Sequence, residues 1–165
     1  MHSYLFHTVW LLPATPTRCW QELVTLGSWE HWWPALAKES WPASPLDTGS
    51  ELWLGVRSPL GYRLRVQLTV QRIVPESSLS VSGSGDLSGS GDAQFLEINE
   101  GNTTDSGPHT ELRINWSVQT TKPWMNFLAP LAAPGFRWAH NALMRDGERR
   151  FRKWLREHPA ASVSS

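Results

Sequence analysis

The chain predicts an α+β fold: a curved seven-stranded antiparallel sheet wrapped around one long C-terminal helix, with two short helices after strand 1. Three observations carry this. Tyr62, Leu64, Val66, Leu68 and Val70 alternate with Arg63, Arg65, Gln67, Thr69 and Gln71, and Leu112, Ile114, Trp116 and Val118 alternate with Arg113, Asn115, Ser117 and Gln119. Period two means one buried and one wet face, as in an antiparallel sheet. The last third changes period: Phe136, His140, Leu143, Gly147, Phe151 and Trp154 lie on one face of a helix. A sheet of this size must bury its apolar face, and only that helix is long enough to cover it.

The elements follow in order. Residues 3–12 read as a strand ended by Pro13. Thr15-Pro16 has the form of an N-cap with proline at the first helical position, starting a helix to about Leu26. Gly27-Ser28 stops it, Ser28 can cap a second short helix from Trp29 to Trp33, and Pro34 closes that. Strands are expected over 35–41, 51–58 and 62–71, then over 79–85 and 89–100 as a hairpin turning near Asp86-Leu87. Residues 100–109 are rich in Gly, Asn, Asp and Pro and read as a loop before the last strand. Thr121 and Pro123 suit the start of the long helix. Pro134-Gly135 should kink or split it, because proline removes a donor and clashes with the preceding turn. Glu148/Arg152 and Lys153/Glu157 place charge on its solvent side. Residues 1–158 form one domain, and 159–165 a disordered tail.

Composition narrows the function. The 165 residues carry fifteen basic and fifteen acidic side chains, formal net charge zero. That argues against nucleic acid or an anionic membrane as the main partner, since either usually demands a basic face. One cysteine, Cys19, excludes an intrachain disulfide and fits a reducing compartment; it reads as a buried, inert thiol. No segment reaches the roughly 18 apolar residues of a membrane span, so no integral membrane association is expected. The opening residues lack a basic region and read as a strand rather than a leader, which places the protein in the cytoplasm. The six histidines are scattered, so no metal site is expected. Ser82-Gly83-Ser84-Gly85-Asp86 recurs as Ser88-Gly89-Ser90-Gly91-Asp92. The period fits neither a calcium roll nor a dinucleotide turn, and small residues in a tight hairpin account for it.

Four stretches carry a resemblance: Trp29-x-x-Trp32-Trp33-Pro34, Arg57-Ser58-Pro59-Leu60-Gly61-Tyr62-Arg63-Leu64, Gly85-Asp86-Leu87-Ser88-Gly89-Ser90-Gly91, and Thr121-Lys122-Pro123-Trp124 with Phe136-Arg137-Trp138-x-His140 and Met144-x-x-Gly147. Over residues 3–157 the chain resembles the SRPBCC superfamily (START-like, helix-grip), within it the bacterial polyketide cyclase/dehydrase-like group. The resemblance implies a helix-grip fold of the START/Bet v 1 kind and a hydrophobic or aromatic small molecule held between sheet and helix, without metal or nucleotide cofactor. The group's pattern has asparagine before the helix histidine and aspartate after it; this chain has Ala139 and Asn141, and Ala93 in place of an aromatic. Those departures weaken a catalytic reading.

The candidate pocket residues are Trp10, Tyr62, Leu64, Val66, Leu68, Trp116, Trp124, Phe136, Trp138, His140, Leu143 and Met144. Eleven tryptophans can line an aromatic cavity or thicken a core, and for any single ring the core is the favoured reading. His140 has two readings: a pocket group that bonds a ligand or acts as acid/base, and a core histidine bonded to a strand. Arg57 and Arg63 flank a turn and read as solvated. The leading expectation is binding of an apolar, cyclic or aromatic ligand by a monomer or homodimer, in a cavity of at least about 300 Å³. The alternative is a cyclase/dehydratase with His140 as acid/base. A third reading, an assembly partner without ligand, requires an exposed patch at Trp29, Trp32 and Trp33.

Overall fold

The computed structural model describes residues 3–25, 28–42, 46–98, 107–120 and 123–158. Strand β1 (Ser3–Leu12) leads through α1 (Pro16–Trp20), which continues as one π-helical turn over Gln21–Thr25, to α2 (Trp29–Trp32). Strands β2 (Leu36–Ser40), β3 (Glu51–Arg57), β4 (Arg63–Val74), β5 (Ser78–Gly85), β6 (Leu87–Ile98) and β7 (His109–Thr120) follow, then α3 (Pro123–Glu157). The strands form one antiparallel sheet in the order β1-β7-β6-β5-β4-β3-β2. The meander is closed out by β1, which returns to pair with β7 in register from Ser3 opposite Gln119 to Leu12 opposite Thr110. The fold class is the one the alternation predicts.

Alternation sorts the faces. On β1, Tyr4, Trp10 and Leu12 are buried, while Leu5, His7 and Val9 point to solvent. The main core packs Trp10, Trp20, Trp32, Trp33, Phe95, Phe151 and Leu155 between the sheet, the short helices and α3. Each such side chain contributes about 1.5–3 kcal/mol on burial. Trp32 and Trp33 are 5% and 6% exposed, and the half-buried Trp29 donates its indole N–H to the Leu23 carbonyl at 2.9 Å. The ligand-free assembly reading needed these rings on the surface, and they are core.

Several local expectations change. Thr15 caps α1 through its side chain, as predicted. Ser28 precedes α2 but makes no side-chain cap; its hydroxyl instead donates to the buried Glu22 carboxylate at 2.6 Å. That carboxylate also accepts from Trp154 Nε1 at 3.0 Å and from the Arg18 guanidinium, so one charge ties α1, α2 and α3 together. Burial alone would raise the Glu22 pKa, but the hydrogen bonds from Ser28, Trp154 and Arg18 outweigh it and hold the carboxyl below its ordinary range.

Pro134-Gly135 does not split α3, which is helical from Pro123 to Glu157. Glu148 bonds the Leu11 backbone N–H at 2.9 Å instead of pairing with Arg152, pinning α3 to β1; Lys153 and Glu157 do approach, at 3.9 Å. The proposed Thr121 cap, most of the 100–109 loop and the tail lie outside the described residues. No helix is long and apolar enough to cross a membrane, and no group of metal-ligating side chains occurs among the described residues.

Candidate functional site

Sheet and α3 enclose a cavity of about 270 Å³ with almost wholly apolar walls. This falls short of the cavity of at least about 300 Å³ expected of a ligand binder, so the expectation fails on size and any occupant is small. The side walls come from Phe6 and Trp10 of β1, Leu112, Ile114 and Trp116 of β7, and Leu54, Val66 and Leu68 of β3 and β4. Leu23 and Val24 from the π-helical turn and Trp29 and Trp33 close one side, and α3 supplies His140, Leu143 and Met144.

The floor is where the serine–glycine repeat lies. Gly83 stands opposite Gly89, and Gly91 opposite both Val81 and Trp116. Alternation turns these glycines inward and Ser82, Ser84 and Ser90 outward, so the repeat removes side chains from the middle of the sheet. A Cβ on Gly91 would sit 2.5 Å from Cε3 of Trp116, whose ring covers the glycine. Gly89 is also required by its backbone, with φ +149° and Ser117 O 1.9 Å from where a Cβ would stand. Gly83 is different: a Cβ there meets only Leu68, Leu87 O and Val66 at 3.8–3.9 Å. The repeat is thus the device that hollows the grip. Its period-two glycines carried that signal, which a tight-turn reading passes over.

Of the twelve candidate residues, the structure brings seven to the cavity wall: Trp10, Val66, Leu68, Trp116, His140, Leu143 and Met144. Tyr62, Leu64 and Phe136 instead form a second cluster with Tyr4, which adjoins the cavity through Phe6, Trp116 and Leu87. Trp124 packs on that cluster, 5.6 Å from Tyr62 and 6.4 Å from Phe136, and remains 42% exposed. Trp138 is 57% exposed, because two residues on a helix subtend about 200° and both Phe136 and His140 face in. Phe6, Trp29, Trp33 and the inward glycines line the cavity without having been read as pocket residues from sequence.

His140 stacks on Phe6 with ring centres 3.8 Å apart and planes 15° from parallel, and Phe6 lies 5.9 Å from Tyr4. Its Nδ1 is buried and has no hydrogen-bond partner in the protein. Burial pulls its pKa down to about 4, opposed weakly by the Asn141 side chain, so the imidazole is neutral at pH 7. The nitrogens of Trp10 and Trp33, two other wall residues, are likewise buried and unpartnered. Among the described residues no carboxylate orients the histidine: Glu97 is exposed, Glu111 pairs with Arg113, and the exposed Asp92 accepts from Asn115 on the outer face. Cys19 is fully buried, and burial pushes its thiol up to about 11, so it is inert.

No family model matches the sequence, and no curated protein matches it. Solved structures do. A START superfamily protein from Mycobacterium smegmatis superposes with a TM-score of 0.66 at 10% identity, covering 93% of this chain and 97% of that one. A protein from Thermus thermophilus gives 0.63 at 15% identity over 90% and 97%. A protein of unknown function from Staphylococcus aureus gives 0.63 at 10% over 95% and 98%. At these identities the likeness is one of fold, and it agrees with the strand order, the two short helices and the long final helix. The chain has the START-like helix-grip fold.

Proposed function

We propose that the domain binds a small, mostly apolar ring compound that carries at least one hydroxyl or carbonyl oxygen. One observation carries this reading: an apolar cavity whose wall residues include three buried nitrogens without protein partners, on His140, Trp10 and Trp33. A buried polar group without a partner costs about 1–3 kcal/mol. None of the three presents surface to the cavity, so a ring must turn before a ligand oxygen can accept from an indole N–H or bond the imidazole, and that bond offsets the cost. The resemblance to the polyketide cyclase/dehydrase-like group points to the same ligand class.

The test has two parts. Native mass spectrometry of protein from its own source should show a co-purifying small molecule. Tryptophan fluorescence titrated with 1-naphthol and naphthalene should show the alcohol binding about fivefold tighter, the value of one net hydrogen bond. Gly83→Leu, whose Cβ makes only ordinary contacts with Leu68, Leu87 O and Val66 and whose side chain fills the cavity, should abolish both signals while the protein stays folded. Unchanged titration in that variant sinks the assignment.

The catalytic alternative, a cyclase/dehydratase with His140 as acid/base, draws on the same unpartnered nitrogen. A pKa near 4 makes the imidazole a weak base at neutral pH, and no carboxylate among the described residues orients it. A His140→Ala variant that binds but loses turnover would establish it; unchanged turnover would remove it.

A further inference from the structure

Four large apolar side chains stand in solvent at one end of the molecule: Leu60, Trp124, Phe127 and Trp138, exposed by 49, 42, 85 and 57%. Taking Trp124 as origin, Phe127 and Trp138 fall at about 300° and 320° around α3, while Phe136 and His140 fall at about 120° and 160°. The first half of α3 therefore carries a second apolar stripe, turned away from the cavity. The loop between β3 and β4 meets it. Leu60 Cδ1 lies 4.0 Å from the position of a Cβ on Gly135, and Tyr62 touches the Trp124 ring. Loop and helix make one surface.

Net charge zero conceals how this surface is charged. From Leu52 to Pro75 the chain has four arginines and no acidic residue, and from Leu112 to Arg145 three arginines, one lysine and no acidic residue; of these, Arg65 pairs with Glu39 and Arg113 with Glu111, so the charge of this surface rests on Arg57, Arg63 and Arg137. These two segments supply the loop and the stripe. Arg57 and Arg63 face each other across the base of the loop, both exposed and without a carboxylate partner among the described residues. Arg137, next to Trp138, is exposed with its guanidinium 5.6 Å from the Tyr4 ring centre.

We propose that this end of the protein docks on an anionic lipid bilayer, with Leu60, Trp124, Phe127 and Trp138 in the headgroup layer and Arg57, Arg63 and Arg137 on lipid phosphates. Exposed tryptophan beside arginine suits that interface, where rings with an apolar body and a polar edge collect and basic side chains gain from the negative surface. A nucleic acid would leave Phe127 and Leu60 unused, and an apolar protein partner would leave the arginines unmatched. The docking is peripheral and reversible. The bulk charge balance, which argues against such a partner, misses it because the basic residues are segregated.

The test is co-sedimentation of the whole chain with vesicles of phosphatidylcholine alone and of phosphatidylcholine mixed with phosphatidylglycerol. Binding should occur to the mixed vesicles and fall away at about 0.5 M salt, where the Debye length is near 4 Å. The Arg57→Glu/Arg63→Glu variant should bind at least about 25-fold more weakly, at roughly fivefold per arginine withdrawn. Phe127→Ser/Trp138→Ser should also be released, with unchanged circular dichroism. If that pair disturbs folding, Phe127→Ser alone serves, since the side chain is 85% exposed. Absence of binding to the mixed vesicles, or equal binding by wild type and variants, overturns the proposal. So does a concentration-dependent dimer in analytical ultracentrifugation that Phe127→Ser dissolves, because a second copy would then be the occupant.

Discussion

Two glycines of α3 should respond to alanine with opposite signs. A Cβ on Gly147 would lie 2.5, 2.6 and 2.9 Å from Cζ2, Cε2 and Cη2 of Trp33. That ring cannot swing aside: it is 6% exposed, 5.5 Å from Trp10 and 5.7 Å from Trp32. Overpacking of this kind costs about 1–3 kcal/mol, against about 1 kcal/mol gained from better helix propensity. Gly147→Ala should therefore lose a net of up to ~2 kcal/mol, a fall in Tm of up to about 4–8 °C for a chain of this size. A Cβ on Gly135 has only Leu60 at 4.0 Å, so Gly135→Ala keeps the propensity gain and should be more stable by about 0.5–1 kcal/mol. Urea melts and thermal scans of both variants beside wild type settle the matter. Shifts of the same sign would mean that Trp33 does not lie on α3 at Gly147.

Acid should act on two groups in separate windows. His140 has a folded pKa of about 4 against an ordinary 6.5, so between those values the unfolded chain binds the proton more readily. Its neutral form supports the fold fully above pH 6.5, and up to about 3 kcal/mol is lost as pH falls towards 4. Urea melts across that range should show the slope in wild type and not in His140→Gln. Glu22 is depressed, so its contribution is present above its ordinary pKa of 4.5 and disappears as pH falls through the lower folded value. At pH 7 Glu22→Ala should cost about 3 kcal/mol, because Arg18, Ser28 and Trp154 lose a common partner; equal urea midpoints would contradict this. Gly91→Ala should push the Trp116 ring into the cavity and weaken naphthol binding at least tenfold, read by fluorescence titration.

Much of the fold was legible because two strands and one helix repeat cleanly. Tyr62–Val70 and Leu112–Val118 alternate without interruption, and the α3 face from Phe136 to Trp154 is buried or half-buried throughout. The site was legible only where those periods reach it. His140, Leu143, Val66, Leu68 and Trp116 follow from register alone. Trp124 and Trp138 were chosen for being aromatic, although the helical angle of Trp138 already turned it outward. Trp33 was beyond reach, since a four-residue helix has no usable period and the ring's place depends on the groove that Gly147 opens. Pro134-Gly135 read as a break, yet local preference yields where the helix packs along most of its length.

The hollow floor has a mechanical consequence. Strands β5 and β6 are the weakest formers in the sheet, yet they sit at its centre rather than at an edge. Outward hydrogen bonds between Gln71 and Ser82 at 2.8 Å and between Gln67 and Ser84 at 3.1 Å brace them from the solvent side. On the inner face Gly83, Gly89 and Gly91 present only backbone, with the Trp116 ring lying over Gly91. On the ligand-binding reading proposed above, a thicker occupant would be taken up at this glycine floor, while the aromatic walls hold their spacing.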